Sequence, residues 1–199
     1  MIDRVRYLLA VLNLIVLPSG VLFWLVIHLW APSWRKLGPT RTYLVVLAPV
    51  IALGSLLFQA RRSLLSTDLG ANRILIAIAV ILYCAMTSLE LQYWRHLSIA
   101  TLLGVPEVSP SEQRRGRLLQ TGIYRVVRHP RYLSAGIGVI ANALIINYVG
   151  LYVLILLVFP AGYLVMLLEE RELADRFGEE YRQYQRDVPQ IIPRLRRTR

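Results

Sequence analysis

The chain holds one cysteine, Cys84, set in an apolar run, so an internal disulfide and a cysteine metal cluster are excluded. A small buried hydrophobe is the reading left for it. Charge is missing over longer distances. Between Tyr132 and Leu168 there are 37 residues without one Asp, Glu, Lys, Arg or His. That is too many for one membrane span and just enough for two joined at Asn147-Tyr-Val-Gly150. Acids are few, 12 against 23 lysines and arginines, and Glu90 is the sole acid inside any span. A carboxylate is costly in lipid, so Glu90 either reaches water at the nearby basic end or makes a polar contact inside the bundle. A strand is also absent where one would be needed. Gly136-Ile-Gly138-Val-Ile-Ala141 matches a dinucleotide-binding pattern, but no βαβ unit surrounds it, and the Rossmann reading is rejected.

What is present is apolar: 56% of 199 residues, with mean hydropathy +0.50. That composition belongs to a single integral membrane domain. The net charge of +11 does not point to nucleic acid. The basic residues are confined to loops and tail, and no basic strip carries interleaved stacking aromatics. The first span runs from about Tyr7 to Trp30, longer than the apolar core of a signal peptide and without a small-x-small cleavage site. Pro18-Ser19-Gly20 predicts a kink or local break in it, and Trp24, Trp30 and Trp34 suit an interfacial belt. His28 reads as an interfacial side chain rather than a ligand. Further spans cover Tyr43 to Phe58 and Ile74 to about Trp94.

Residues 1–95 therefore carry three spans. The stretch 96–131, broken by Gly104, Pro106, Pro110 and Gly116, is a connection with at most short helices, and Leu118 and Leu119 imply partial burial. Residues 132–168 read as a tight helical hairpin, with Ser134, Ala135, Gly136, Gly138 and Ala141 allowing close helix contact. From Glu169 an amphipathic helix emerges, with a packing stripe of Leu173, Phe177, Tyr181 and Tyr184 that covers Glu170 and has Glu169 near its edge. The pair Glu172 and Arg176 reads as support for the solvated face of that helix. A basic tail follows to residue 199. The fold class expected is an all-α membrane protein with about five transmembrane helices.

Five spans put the two termini on opposite sides. One side holds 18 of the basic residues and the other holds 5, which predicts N-out, C-in, in the cell (inner) membrane, with 96–131 and the tail cytoplasmic. Arg125, Arg128, Arg131 and His129 then crowd the water-facing rim where the uncharged hairpin begins, and Glu169-Glu170 lie where it ends, on the same face. Two polar clusters bracket one hairpin. No metal site is expected from them.

Leu118-Leu-Gln-Thr-Gly-Ile-Tyr-Arg-Val-Val-Arg-His-Pro-Arg-Tyr132, the apolar hairpin, and Glu169-Glu…Leu173…Phe177-Gly-Glu-Glu-Tyr181…Tyr184…Val188-Pro189…Pro193 together resemble the isoprenylcysteine carboxyl methyltransferases and related phospholipid methyltransferases. Leu102-Leu-Gly104 also looks like the segment before that family's loop. The resemblance covers roughly the C-terminal half. It implies that S-adenosylmethionine is the cofactor. Leu118, Leu119 and Tyr124 would line its cavity, and His129, Pro130, Arg131 and Tyr132 would hold its polar groups. Glu169 would bind the amino-acid or ribose end, with Glu170 the adjacent candidate. A cationic, zwitterionic cofactor needs both an anion and donors at one desolvated site, and these clusters offer both. Arg125 and Arg128 could hold an anionic head group of the substrate. No catalytic base is singled out, and the oligomeric state is open.

Enzymes of that family acting on prenylcysteine typically carry an arginine shortly before the acids, whereas Val165-Met-Leu-Leu168 is wholly apolar here. Gln190 stands where related bacterial sequences often have arginine after Val-Pro. The acceptor is thus lipophilic or lipid-anchored and otherwise unassigned, with membrane lipids as surroundings. Two alternatives stay open: a membrane reductase using NADPH in a similar half-fold, and a non-enzymatic membrane assembly factor.

Overall fold

The computed structural model describes residues 2–94, 105–109 and 118–193, with side chains at 106 and 107 left aside. Arg95, His96, Leu102-Leu-Gly104 and the basic end of the tail lie outside the described residues. The elements are α1 (Ile2–Leu29), α2 (Ala31–Leu37), α3 (Pro39–Leu64), α4 (Arg73–Trp94), α5 (Val105–Val108), a 3-10 turn (Gly122–Arg125), α6 (Pro130–Ile146), α7 (Val149–Phe177) and α8 (Glu179–Asp187). Among the described residues there is no strand, only an isolated bridge between Asp68 and Tyr148. Helices α1, α3, α4 and α7 are long and apolar enough to cross a membrane, and α6 is a shorter apolar helix of 17 residues. The protein is an all-α integral membrane protein. Large apolar side chains such as Leu44, Ile51, Ile74, Ile81 and Leu156 are exposed on the outer faces, as lipid-facing residues are.

Helix α1 runs unbroken through Pro18, so the local break expected there is not found. A proline removes one backbone hydrogen bond, and in a long apolar helix the turns on either side keep theirs. The hairpin forms, but its close small-residue contact is with α4. Ser134, Gly138 and Ala141 are buried on one face of α6. There Met86 of α4 sits where a Cβ on Gly138 would lie. Tyr83 of α4 donates to Asn142 at 2.7 Å, and Tyr93 shares a hydrogen bond with Ser134 at 3.1 Å. Tyr93 also reaches Glu90 at 3.4 Å, so Glu90 has a partner inside the bundle. The second arm, α7, packs on α1 through Ala10, Leu14, Leu151, Leu154 and Val158.

The amphipathic helix expected from Glu169 is two pieces. Its first part continues α7 to Phe177, and Gly178 at φ 60° breaks the chain before α8. A side chain disfavours that left-handed conformation, and glycine takes it without cost. The stripe survives the break: Leu173, Phe177, Tyr181 and Tyr184 join Leu118 and Val188 in one cluster.

The opposite end of the bundle is closed by backbone contacts. Asn147 turns the hairpin in the left-handed region at φ 54°, and its amide donates to Gly70 at 2.8 Å. Leu69 N–H donates to Asn147 and Val149 N–H to Thr67. Arg6, 4% exposed, binds the Ile146 carbonyl and pairs with Asp68. At Gly150 the backbones come so close that a Cβ would lie 2.0 Å from the Leu64 carbonyl oxygen.

Gly150→Ala should therefore destabilise the protein by about 1–3 kcal/mol through overpacking. Gly162→Ala, on α7 with nothing within 4 Å of the new Cβ, should leave stability within about 1 kcal/mol of wild type. Thermal unfolding in detergent compares the two, and equal melting temperatures for both variants would refute the close approach. A second outcome concerns acid. Burial acts to raise the Asp68 carboxyl, but hydrogen bonds from Arg6 and from the Gly70 N–H outweigh it and hold the group below the usual range. A lowered carboxylate contributes stability that is full above its ordinary pKa and is lost as pH falls through the folded value. Wild type should lose that contribution only below about pH 4. Asp68→Asn should lack about 1 kcal/mol already at neutral pH and show a shallower acid dependence.

Candidate functional site

The loop before α6 is shaped by two local devices. Gly122 at φ 61° starts the 3-10 turn, which buries Tyr124 and is followed by buried Val127. Pro130 then opens α6 at a position where its missing N–H costs nothing, and it pushes His129 out of helical geometry. The backbone N–H groups of Arg128 and His129 donate to the carbonyls of Pro189 and Gln190, at 2.9 and 3.0 Å. The Val-Pro segment after α8 therefore docks on the loop through main chain, and Gln190 contributes its carbonyl.

The two acids differ in what they do. Glu170 is buried and saturated. Arg128 donates to it through Nε at 2.8 Å and pairs through its NH2 group at 2.7 Å. His129 Nε2 lies 2.9 Å from the same oxygen, and Gln185 donates to the other at 3.3 Å. Arg128 uses its remaining terminal nitrogen on the carbonyls of Gln185 and Val188. Arg128, a candidate to hold a substrate head group, has every nitrogen engaged by the protein. Arg125 is exposed on the turn. Glu169 is half-buried, and Tyr132 donates to one of its oxygens at 2.7 Å. The other oxygen takes no hydrogen bond among the described residues.

Tyr124, His129, Arg131 and Tyr132 lie within reach of Glu169, and the expected leucines lie at the tyrosine cluster. The Tyr124 phenol is within electrostatic reach of Arg131 and Glu169. Burial pushes it up to about 12, so at neutral pH it keeps its proton. His129 meets Tyr132 edge-on at 5.5 Å between ring centres. Pro130 is buried beside them. Arg131 lies over the Trp24 ring at 6.0 Å. Leu118 packs into the tyrosine cluster, and Leu119 is half-buried next to it. Two clefts open elsewhere, the larger of about 810 Å³ between α1 and α3 from Ile15 to Gln59, and both lie on apolar faces away from the acids.

Four residues at this end escaped the sequence reading. His28 is buried, stacked on Trp24 at 5.6 Å, and within electrostatic reach of Glu169 and His129. It is not an interfacial side chain. Arg35 of α2 pairs with Glu172, and Arg176 lies 3.6 Å from the same carboxylate. Glu172 and Arg176 thus belong to a buried cluster, where a solvated face was expected. A signal was available: Glu169, Glu172 and Arg176 are spaced i, i+3, i+7 and share one face of α7.

Comparison with known proteins adds the lineage. The chain is 35% identical over 71 residues to methanethiol S-methyltransferase 1 of Bradyrhizobium diazoefficiens, covering 36% of this chain and 24% of that protein. It is 32% identical over 79 residues to methanethiol S-methyltransferase of Pseudomonas deceptionensis, covering 38% of this chain and 28% of that protein. The matched part thus spans about a quarter of the length of these relatives. No solved structure matches the chain significantly. The family model described as phospholipid methyltransferase matches residues 74–180, from the start of α4 through the loop and both acids into α8. The chain belongs to the phospholipid methyltransferase family.

Proposed function

We propose that the protein is an S-adenosylmethionine-dependent methyltransferase acting on a lipophilic or membrane-associated acceptor. The observation that carries this reading is Glu169. It is an acid at the edge of a desolvated cluster, oriented by Tyr132 on one oxygen and without a hydrogen bond on the other among the described residues, beside Tyr124 and Arg131. The residues fit the group: the second oxygen suits an ammonium or ribose hydroxyl, and Leu118, Leu119 and Pro130 would supply apolar walls. When bound, the sulfonium supplies an activated methyl group and leaves as a neutral thioether. The protein's task is then positioning and exclusion of water.

In this reading Glu170 holds Arg128 and His129, and through them keeps Tyr132 aimed at Glu169. Tyr124, protonated at neutral pH, donates to a polar atom of the cofactor and does not act as the base. The names of the two relatives make a small thiol the first acceptor to test. A thiol must lose its proton before or during attack, whereas a carboxylate acceptor needs no base.

Glu169→Gln keeps the shape of the side chain and removes its charge, so affinity for S-adenosylmethionine should fall on the order of 10- to 100-fold. Glu179→Gln, on the exposed face of α8, should change it by less than about threefold. Titration calorimetry on the purified protein decides. No binding by wild type rejects the cofactor, and equal losses in both variants reject Glu169 as its ligand.

Orientation follows from the same reading. The end that holds the site also holds the excess of basic residues, and we place it in the cytoplasm. With Cys84 replaced by serine, a membrane-impermeant thiol reagent applied to sealed cells should label Ser66→Cys in the α3–α4 loop. It should not label Thr121→Cys or Gln183→Cys. The reverse pattern would invert the protein.

A further inference from the structure

The cluster of His28, Arg35, Glu172 and Arg176 is separate from the hydrogen bonds that organise Glu169 and Glu170. It is assembled from α1, α2 and one face of α7, and α1 and α2 lie outside the family-matched region. His28 is 6% exposed, and the side chains of Glu172 and Arg176 are each 7% exposed. Two guanidinium groups face one carboxylate, which leaves an excess positive charge out of water. Buried polar atoms are also left over: Nε of Arg35, Nε and one terminal nitrogen of Arg176, both ring nitrogens of His28, of which a neutral ring makes only one a donor, and one oxygen of Glu172 have no hydrogen-bond partner among the described residues. Folded proteins rarely leave such groups unsatisfied, and each charged donor left so is costly. Donors outnumber acceptors among these atoms. A second negatively charged acceptor with room for two forked donors would answer that excess, and a carboxylate has that shape and charge.

We propose that Arg35 and Arg176, held in place by Glu172, bind a carboxylate in the methyl-transfer site, with a ring N–H of His28 as a third donor. This rests on the cofactor reading above. His28 and Glu172 lie within electrostatic reach of Glu169, so the carboxylate sits on the α1–α2 side of the cofactor region. It belongs either to the amino-acid end of the methyl donor or to an anionic acceptor. An arginine before the acids is missing from Val165–Leu168, and the N-terminal helices supply one from across the bundle.

The test uses Arg176→Gln, which removes the excess cation and leaves the Arg35–Glu172 pair intact, with Arg176→Lys beside it. Without ligand, Arg176→Gln should melt no lower than wild type, whereas a purely structural arginine would make it melt lower. Calorimetry with S-adenosylhomocysteine and with its decarboxylated analogue reads the donor arm. If the donor's carboxylate is bound, wild type prefers the carboxylated ligand by about 10- to 100-fold, and Arg176→Gln loses that preference. The acceptor arm compares methylation of 3-mercaptopropionate and ethanethiol. If the acceptor's carboxylate is bound, wild type prefers the former, and Arg176→Gln loses the preference while binding S-adenosylhomocysteine normally. Arg176→Lys should retain part of either preference, since it keeps charge but not the fork. Unchanged preferences in both arms, or a lower melting temperature with unchanged ligand binding, overturn the proposal. Failure of wild type to bind S-adenosylhomocysteine overturns the cofactor reading and this inference with it.

Discussion

Burying the Glu170 carboxylate removes it from water, and at this depth the loss is offset only because Arg128, His129 and Gln185 all reach it. Those three come from the loop before α6 and from α8, so one charge ties together segments 42, 41 and 15 residues away from it in sequence. The main-chain bonds from Arg128 and His129 to Pro189 and Gln190 depend on the same placement. Pro130 opens α6, and Tyr132 in its first turn donates to Glu169.

Helix α7 serves two compartments because its polar residues fall on two faces. Glu170, Leu173 and Phe177 turn toward the loop and α8, where the tyrosine cluster seals them. Glu169, Glu172 and Arg176 turn toward α1 and α2. The first face, with its loop, lies almost wholly within the family-matched region. The second is completed by His28 and Arg35, which lie outside it.

The far end of the bundle explains why the site end can be so polar. Arg6, Asn147 and Gly150 lock α1, the α3–α4 loop and the hairpin turn through backbone carbonyls. The long helices are thus fixed at one end. The other end can then spend its side chains on a buried network in place of close backbone packing.

Much of this was legible in the residues. The number and order of apolar helices follow from runs too long and too uncharged for anything but lipid. The loop motif and the acid pair could be set at one end of the hairpin by counting charges, and the tyrosine stripe could be read from its spacing. Periodicity assigns residues to faces, and it did so correctly for Leu173, Phe177, Tyr181 and Tyr184. What it does not assign is the neighbour. Whether the small residues of α6 meet α7 or α4 is not a property of α6. The roles of Glu169 and Glu170 were likewise beyond a helical wheel, because each depends on which donors arrive from other segments. His28 and Glu172 read as interfacial and solvated for the same reason, and Arg35 carried no signal of its own. A charged side chain near a membrane surface is exposed by default, and only the meeting of α1, α2 and α7 takes these three out of water.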